Sequence, residues 1–317
     1  MTAVETATGP AAAVTAADRH PFVAKVREYA ETRLRPRALT TDRDGVAEER
    51  VDELAALGLL NHAAPPEYCG AGVDRAVDRR VHEIIAGACF NTWLVWAQHA
   101  SLSQRMVEST ATGAPLSALA RRILRGELLL GAGVSDVRRF PDHYIAARET
   151  DFGVASDARS HHFGLAETVL DELESTGYPE AVEVAAIWRP RIARIRAAAY
   201  ELTDEARVNG GGPYRVEERL ATKVASGEAL SALTRALLIA RSGRGLAGDD
   251  TAQLHARSAL FILVQGQTPD VRRAQLARLA SWSRPAYGLR LISSSTSSAI
   301  ALLPMGVGCR SGVVSVE

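Results

Sequence analysis

"DELAALGLLNHAAPPEYCGAGVD" occupies residues 52–74 and changes character halfway. Its first half extends a stripe of Val51, Leu54 and Leu57, spaced by three, and Gly58 stands where a helix closes. With Asp44 placed to cap the start, the spacing predicts a helix over 44–60. The second half cannot continue it, because Pro65, Pro66, Gly70 and Gly72 forbid a regular element. After this loop, residues 75–110 read as a long helical stretch containing "VHEIIAGACFNTWLVWAQHA" (81–100). Its few polar groups predict a helix buried on most sides, with Trp93 and Trp96 in the core.

Upstream, Phe22, Val26, Tyr29 and Leu34 keep helical spacing over 19–39, and Pro36 falls near the end. Residues 1–18 are Ala/Thr-rich, with neither a basic start nor a compact apolar run, and read as a disordered lead-in. Downstream, Pro115 opens a helix whose expected buried face is Leu116, Leu119, Ile123 and Leu124. Residues 136–162 are polar and weakly periodic, with room for one or two short strands, for instance "HYIAA" at 143–147. A sheet of ordinary size needs about four to six strands of roughly five residues. Helical patterns resume over 163–175, 180–207, 214–241 and 251–264. Pro190 predicts a kink or break in the second of these, and Thr268-Pro269 start a last helix. The segment 283–317 carries no helical stripe and reads as a flexible tail or an altered reading frame. The pattern as a whole is all-α: an N-terminal helical domain over 19–135, a short waist over 136–162 and a C-terminal helical bundle over 163–282.

Composition narrows the partners. Thirty-seven basic residues balance 37 acidic ones, so nothing steers the chain to nucleic acid or an anionic membrane surface. No apolar run reaches the length of a membrane span. Three cysteines, odd in number and far apart, fit a reducing cytoplasm and supply no disulfide framework or cysteine-based metal site.

Residues 52–74 resemble the helix–loop signature of the acyl-CoA dehydrogenase family, and 82–100 resemble the buried helix after it. "LARRILRGELLLGAG" (119–133) is similar to the exit from that family's N-terminal domain. "HHFGLAETVLDEL" (161–173) is similar to the start of its C-terminal domain. "LIARSGRGL" (238–246) stands where the family has a Q-x-x-G-G-x-G segment, and residues 255–279 resemble its closing pair of helices. The resemblance covers about residues 20 to 282 in order. It implies two helical domains around a β-domain, assembly as a dimer or tetramer, FAD, and an acyl-CoA or acyl-carrier-protein thioester as substrate. A carboxylate would take the α-proton and the flavin the β-hydride.

Three departures bear on that chemistry. The middle β-domain has only residues 136–162 in its place. Where many members hold a Glu-Gly-Thr run with the catalytic glutamate, this chain reads Gln265-Gly266-Gln267, and an amide accepts no proton at useful pH. The family's Arg-Phe-Gly segment is unrecognisable, and Ile239 aligns with the glutamine before the glycine-rich turn.

The resemblance leaves Gly243, Arg244, Gly245, Gly266 and Gln267 as candidate cofactor contacts, with a helix-capping turn as the other reading of 243–245. Candidates for acid–base work are Gln265, by position, together with Asp157, Glu167 and His162, and more weakly Asp151. Adjacent His161 and His162 point to different sides of a helix, which suits exposed or capping roles better than joint metal ligation. No metal site is expected. His255 and Arg257 read as a solvated face. Three functions stand together: an FAD-dependent acyl-thioester oxidoreductase, a non-catalytic subunit that binds or partners a full-length relative, and a non-redox enzyme reusing the acyl pocket.

Overall fold

The structure, a computed structural model, describes residues 16–110, 117–130, 156–211 and 213–282. The expected strand at 143–147, the weak candidate Asp151, most of the 136–162 segment, Pro115, Leu116 and the segment 283–317 lie outside the described residues.

The described residues are helical and contain no strand, as the all-α pattern requires. In chain order the α-helices are α1 (Pro21–Tyr29), α2 (Ala38–Asp44), α3 (Glu48–Ala56), α4 (Arg75–Ala88), α5 (Phe90–Thr110) and α6 (Ala118–Leu124). They continue as α7 (Ser160–Ser175), α8 (Pro179–Val208), α9 (Val216–Arg241), α10 (Thr251–Val264) and α11 (Pro269–Trp282). A π-turn over Ala30–Leu34 and a 3₁₀ turn over Arg35–Arg37 join α1 to α2. The apolar stripe of 19–39 thus survives, with Val26 and Leu34 fully buried, but Pro36 tightens the coil locally.

Several boundaries differ from the pattern, each for a local reason. Gly45, at φ 92°, ends α2, so Asp44 closes that helix and α3 begins at Glu48. Cys89 is extended and divides the long buried stretch into α4 and α5. Leu119 turns outward, because the short α6 buries only Ala120, Ile123 and Leu124. Residues 16–18 belong to the fold: Ala17 is buried, and the Asp18 carboxylate accepts from Arg80 Nε at 2.7 Å. Helix α8 runs unbroken through Pro190, which sits on its exposed side. The carbonyl that proline frees belongs to Ala186, which is also exposed, so water can satisfy it.

Helices α7 to α10 form a bundle, with α11 laid against α9. The N-terminal helices join it chiefly where α4 crosses α7. Two glycines make that crossing possible. A methyl group on Gly164 would sit 2.0 Å from the Glu83 carbonyl oxygen, and one on Gly87 would sit 2.6 Å from Thr168 Oγ1. Thr168 Oγ1 donates to the Gly87 carbonyl at 2.9 Å across the same contact. One continuous apolar core runs from Val23 and Val26 through Trp96 and Phe163 to Leu230 and Ile262. Beside the crossing lies a cluster of opposite charges. Arg80 bonds Glu83 and Glu167 at 2.7 Å each, and Arg196 and Tyr200 complete it from α8. Burial pushes the Glu83 carboxyl upward, while Arg80, Arg196 and the Tyr200 hydroxyl, all of which donate to it, pull the other way.

Candidate functional site

Where α4 and α5 meet α7, four histidines and two tryptophans are packed in line. The line starts at His62, whose Nε2 lies 2.7 Å from Asp78 and whose Nδ1 lies 3.1 Å from the Leu59 carbonyl. Burial alone would raise the Asp78 carboxyl, but the neighbouring His82 and His62 hold it down at about 2. His82 accepts a hydrogen bond from Trp93 Nε1 at 3.0 Å through Nδ1, so its proton sits on Nε2. Complete burial lowers the His82 imidazole to about 4, which keeps it neutral. Trp93 in turn stacks on His161, ring centres 3.9 Å apart, and Phe90 lies 6.0 Å from the same imidazole.

His161 and His162 are both buried, not exposed or capping, because α7 begins at Ser160 and takes them into its first turn. Their fates differ. His162 Nδ1 is 2.7 Å from Ser226 Oγ, whose own hydroxyl donates to the Lys223 carbonyl at 2.8 Å. The serine oxygen therefore accepts, and His162 is a closed, neutral imidazole lowered to about 3 by burial and by the charges of Lys223 and Arg159. Neither ring nitrogen of His161 has a hydrogen-bond partner. Burial, His162, Arg159, His82 and Lys223 together press its imidazole well below the ordinary value. The sequence candidate was His162. The unpartnered group is its neighbour, and adjacency hid the difference, since only packing decides which ring finds a serine.

Two of the other acid–base candidates, Asp157 and Glu167, are occupied. Asp157, itself half-buried, holds the buried Arg219 Nε at 2.6 Å, and Arg219 also donates to the carbonyls of Gly211 and Tyr214. Glu167 is tied to Arg80 and Arg196 in the charge cluster at the α4–α7 crossing. Gln265 ends α10, and its Oε1 is buried without a partner. Phe261, one helical turn earlier on α10, packs edge-on against Phe90 at 6.1 Å. The Gln265 corner and His161 are thus joined through Phe261 and Phe90.

The cofactor candidates form a different surface. The 3₁₀ turn Ser242–Leu246 carries Gly243, which faces open space, and Gly245, whose Cβ would meet Arg241 Cβ at 2.9 Å. Arg244 is largely exposed, and its Nε lies 3.7 Å from the Asp250 carboxylate that caps α10. A pyrophosphate there would meet Asp250 as well as Arg244, between the exposed apolar side chains of Ile239 and Leu246. Gly266 adopts φ 62° at the α10–α11 corner and lets the chain turn. The Gln267 amide is used at both ends, donating to Gln275 at 2.9 Å and accepting from Arg272 at 3.4 Å. These described residues do not fit a flavin dinucleotide, so no step through a flavin is derived. His255, expected on a solvated face, is buried and bonds Glu172 at 2.9 Å.

Residues 16–127 match the family model for the acyl-CoA dehydrogenase N-terminal domain. The N-terminal part of the chain is thereby related to the acyl-CoA dehydrogenase family. The match contains the 52–74 helix–loop segment and helix α5, which supplies Trp93 and Phe90 to the site. Among solved structures, butyryl-CoA dehydrogenase from Megasphaera elsdenii is 13% identical, with a TM-score of 0.61 over 88% of this chain and 100% of that one. A structure of the electron transferring flavoprotein of Acidaminococcus fermentans is 14% identical, with a TM-score of 0.60 over 88% of this chain and 99% of that one. At such identities the likeness is one of fold, and it extends the acyl-CoA dehydrogenase arrangement of helices through the C-terminal bundle. No curated protein sequence matches the chain. Among the described residues no helix is long and apolar enough to cross a membrane.

Proposed function

We propose that this chain binds an acyl thioester, of coenzyme A or an acyl carrier protein, without carrying out the family's α,β-dehydrogenation. The observation that carries this reading is the fate of the carboxylates. The family's glutamate position holds Gln265, while Asp157 and Glu167 are spent in half-buried ion pairs. An amide can donate and accept hydrogen bonds but cannot remove a proton from carbon. The family relation supports the thioester as ligand class, and the poor fit of the 242–246 turn to a pyrophosphate speaks against ordinary use of FAD.

The α10–α11 hairpin favours an assembly. Leu260, Val264, Leu276 and Leu279 are exposed on it, with Phe261 partly so. Exposed apolar side chains gathered on two adjoining helices suit a second copy or a full-length relative. The test is to purify the protein, record its absorption spectrum and titrate it with acyl-CoAs from butyryl to palmitoyl by calorimetry. The expected outcome is a colourless protein that binds at least one thioester and leaves it unchanged by mass spectrometry. A yellow protein whose flavin bleaches with acyl-CoA would overturn the reading. The variant Gln265→Glu separates the lost base from the lost middle domain: flavin reduction gained by that change would mean that only the base was missing.

A further inference from the structure

Every described histidine except His161 has a hydrogen-bond partner. Leaving a buried polar group unsatisfied costs stability. This imidazole is held in an aromatic slot between Trp93 and Phe90, with the positive charges of Lys223 and Arg159 nearby. The second unpartnered group of the seam, Gln265 Oε1, lies one helical turn beyond Phe261, the residue that packs on Phe90. Phe261 is 39% exposed and packs edge-on against Phe90, which lies between it and the imidazole.

We propose that His161 is a ligand-binding residue whose imidazole N–H donates a hydrogen bond to the carbonyl oxygen of an acyl thioester, with Trp93 and Phe90 flanking the acyl group. The assignment rests on the thioester reading above and adds the residue that recognises the carbonyl. A neutral imidazole carries one N–H, which suits a carbonyl oxygen, and the nearby positive charges strengthen the polarisation of that oxygen. Burial and those same charges keep the ring neutral, so the donor is available throughout the physiological range.

The experiment compares acyl-CoA thioesters with S-alkyl-CoA thioethers of equal chain length, which lack the carbonyl, on the wild-type protein, His161→Phe and His161→Gln. Calorimetry is expected to show thioester affinity reduced roughly tenfold in His161→Phe, the loss of one hydrogen bond. Thioether affinity should stay unchanged, and His161→Gln, which keeps an N–H donor, should recover part of the loss. Acyl-pantetheine in place of acyl-CoA should show the same pattern if the acyl carbonyl is what His161 meets. Equal thioester affinity in wild type and His161→Phe overturns the assignment while the thioester reading stands. An equal loss of thioester and thioether binding also overturns it, since that marks a packing role. Failure of the wild-type protein to bind either series overturns both.

Discussion

At the residue scale the instructive pair is His161 and His162. They are neighbours in sequence and equally buried, yet Ser226 completes one and nothing completes the other. An unsatisfied buried imidazole is a local instability, so His161→Phe should leave the melting temperature unchanged or raise it by a few degrees. A clear fall in thermal melting would mean that the imidazole is satisfied in solution. Asp157 gives the opposite expectation. Removing it takes away the carboxylate that the buried Arg219 holds at 2.6 Å, and Asp157→Ala should cost about 3 kcal/mol in urea denaturation. If thioester binding of the folded fraction also disappeared, Asp157 would be more than a structural partner.

At the scale of elements, the α4–α7 crossing and helix α8 make separate tests. Gly164→Ala drives a methyl group into the Glu83 carbonyl, 2.0 Å away, and both helices must shift. Overpacking of this kind costs about 1–3 kcal/mol, and a backbone clash belongs at the top of that range. Denaturant melts of Gly164→Ala showing wild-type stability would refute the crossing. Pro190→Ala should instead stabilise the protein, by up to about 3 kcal/mol, because the helix already runs through that position and the change restores its missing N–H. Neither result is readable from the sequence. Pro190 predicts a break because local rules price the proline alone, whereas packing along thirty residues of α8 outweighs it. Gly164 looks like an ordinary helix weakener until the partner helix is known.

At the scale of the whole molecule, the buried neutral histidines govern the response to acid. The imidazoles of His82, His161 and His162 sit below their unfolded value of about 6.5. The unfolded chain therefore binds more protons than the native one as pH falls below that value, and stability declines. With His162 at about 3, this group alone costs about 2 kcal/mol by pH 5. Glu83, raised by burial, works in the opposite sense and blunts the fall. The lowered carboxyls of Asp78 and Glu172 add losses only as pH drops through the carboxylate range. Urea midpoints should thus fall between pH 7 and pH 5, well before carboxylates protonate. A flat profile across that window would show that these imidazoles are not held neutral.

The sequence by itself determined the helical class and most helix positions. Each depends on spacing or capping, both of which are local. Val51, Leu54 and Leu57 carry their own periodicity, and Thr268 and Pro269 carry their own start signal, seen in the Thr268 hydroxyl accepting from the Val271 N–H at 3.3 Å. Only the tertiary structure decided which polar groups are free. Asp157 and Arg219 are 62 residues apart, Arg80 and Glu167 are 87 apart, and His162 and Ser226 are 64 apart. A side chain's chemistry is set by what folding brings against it. That is why Glu167 and Asp157 became ion pairs, His162 became a closed imidazole, and His161, which no motif marks, was left with both nitrogens unpaired.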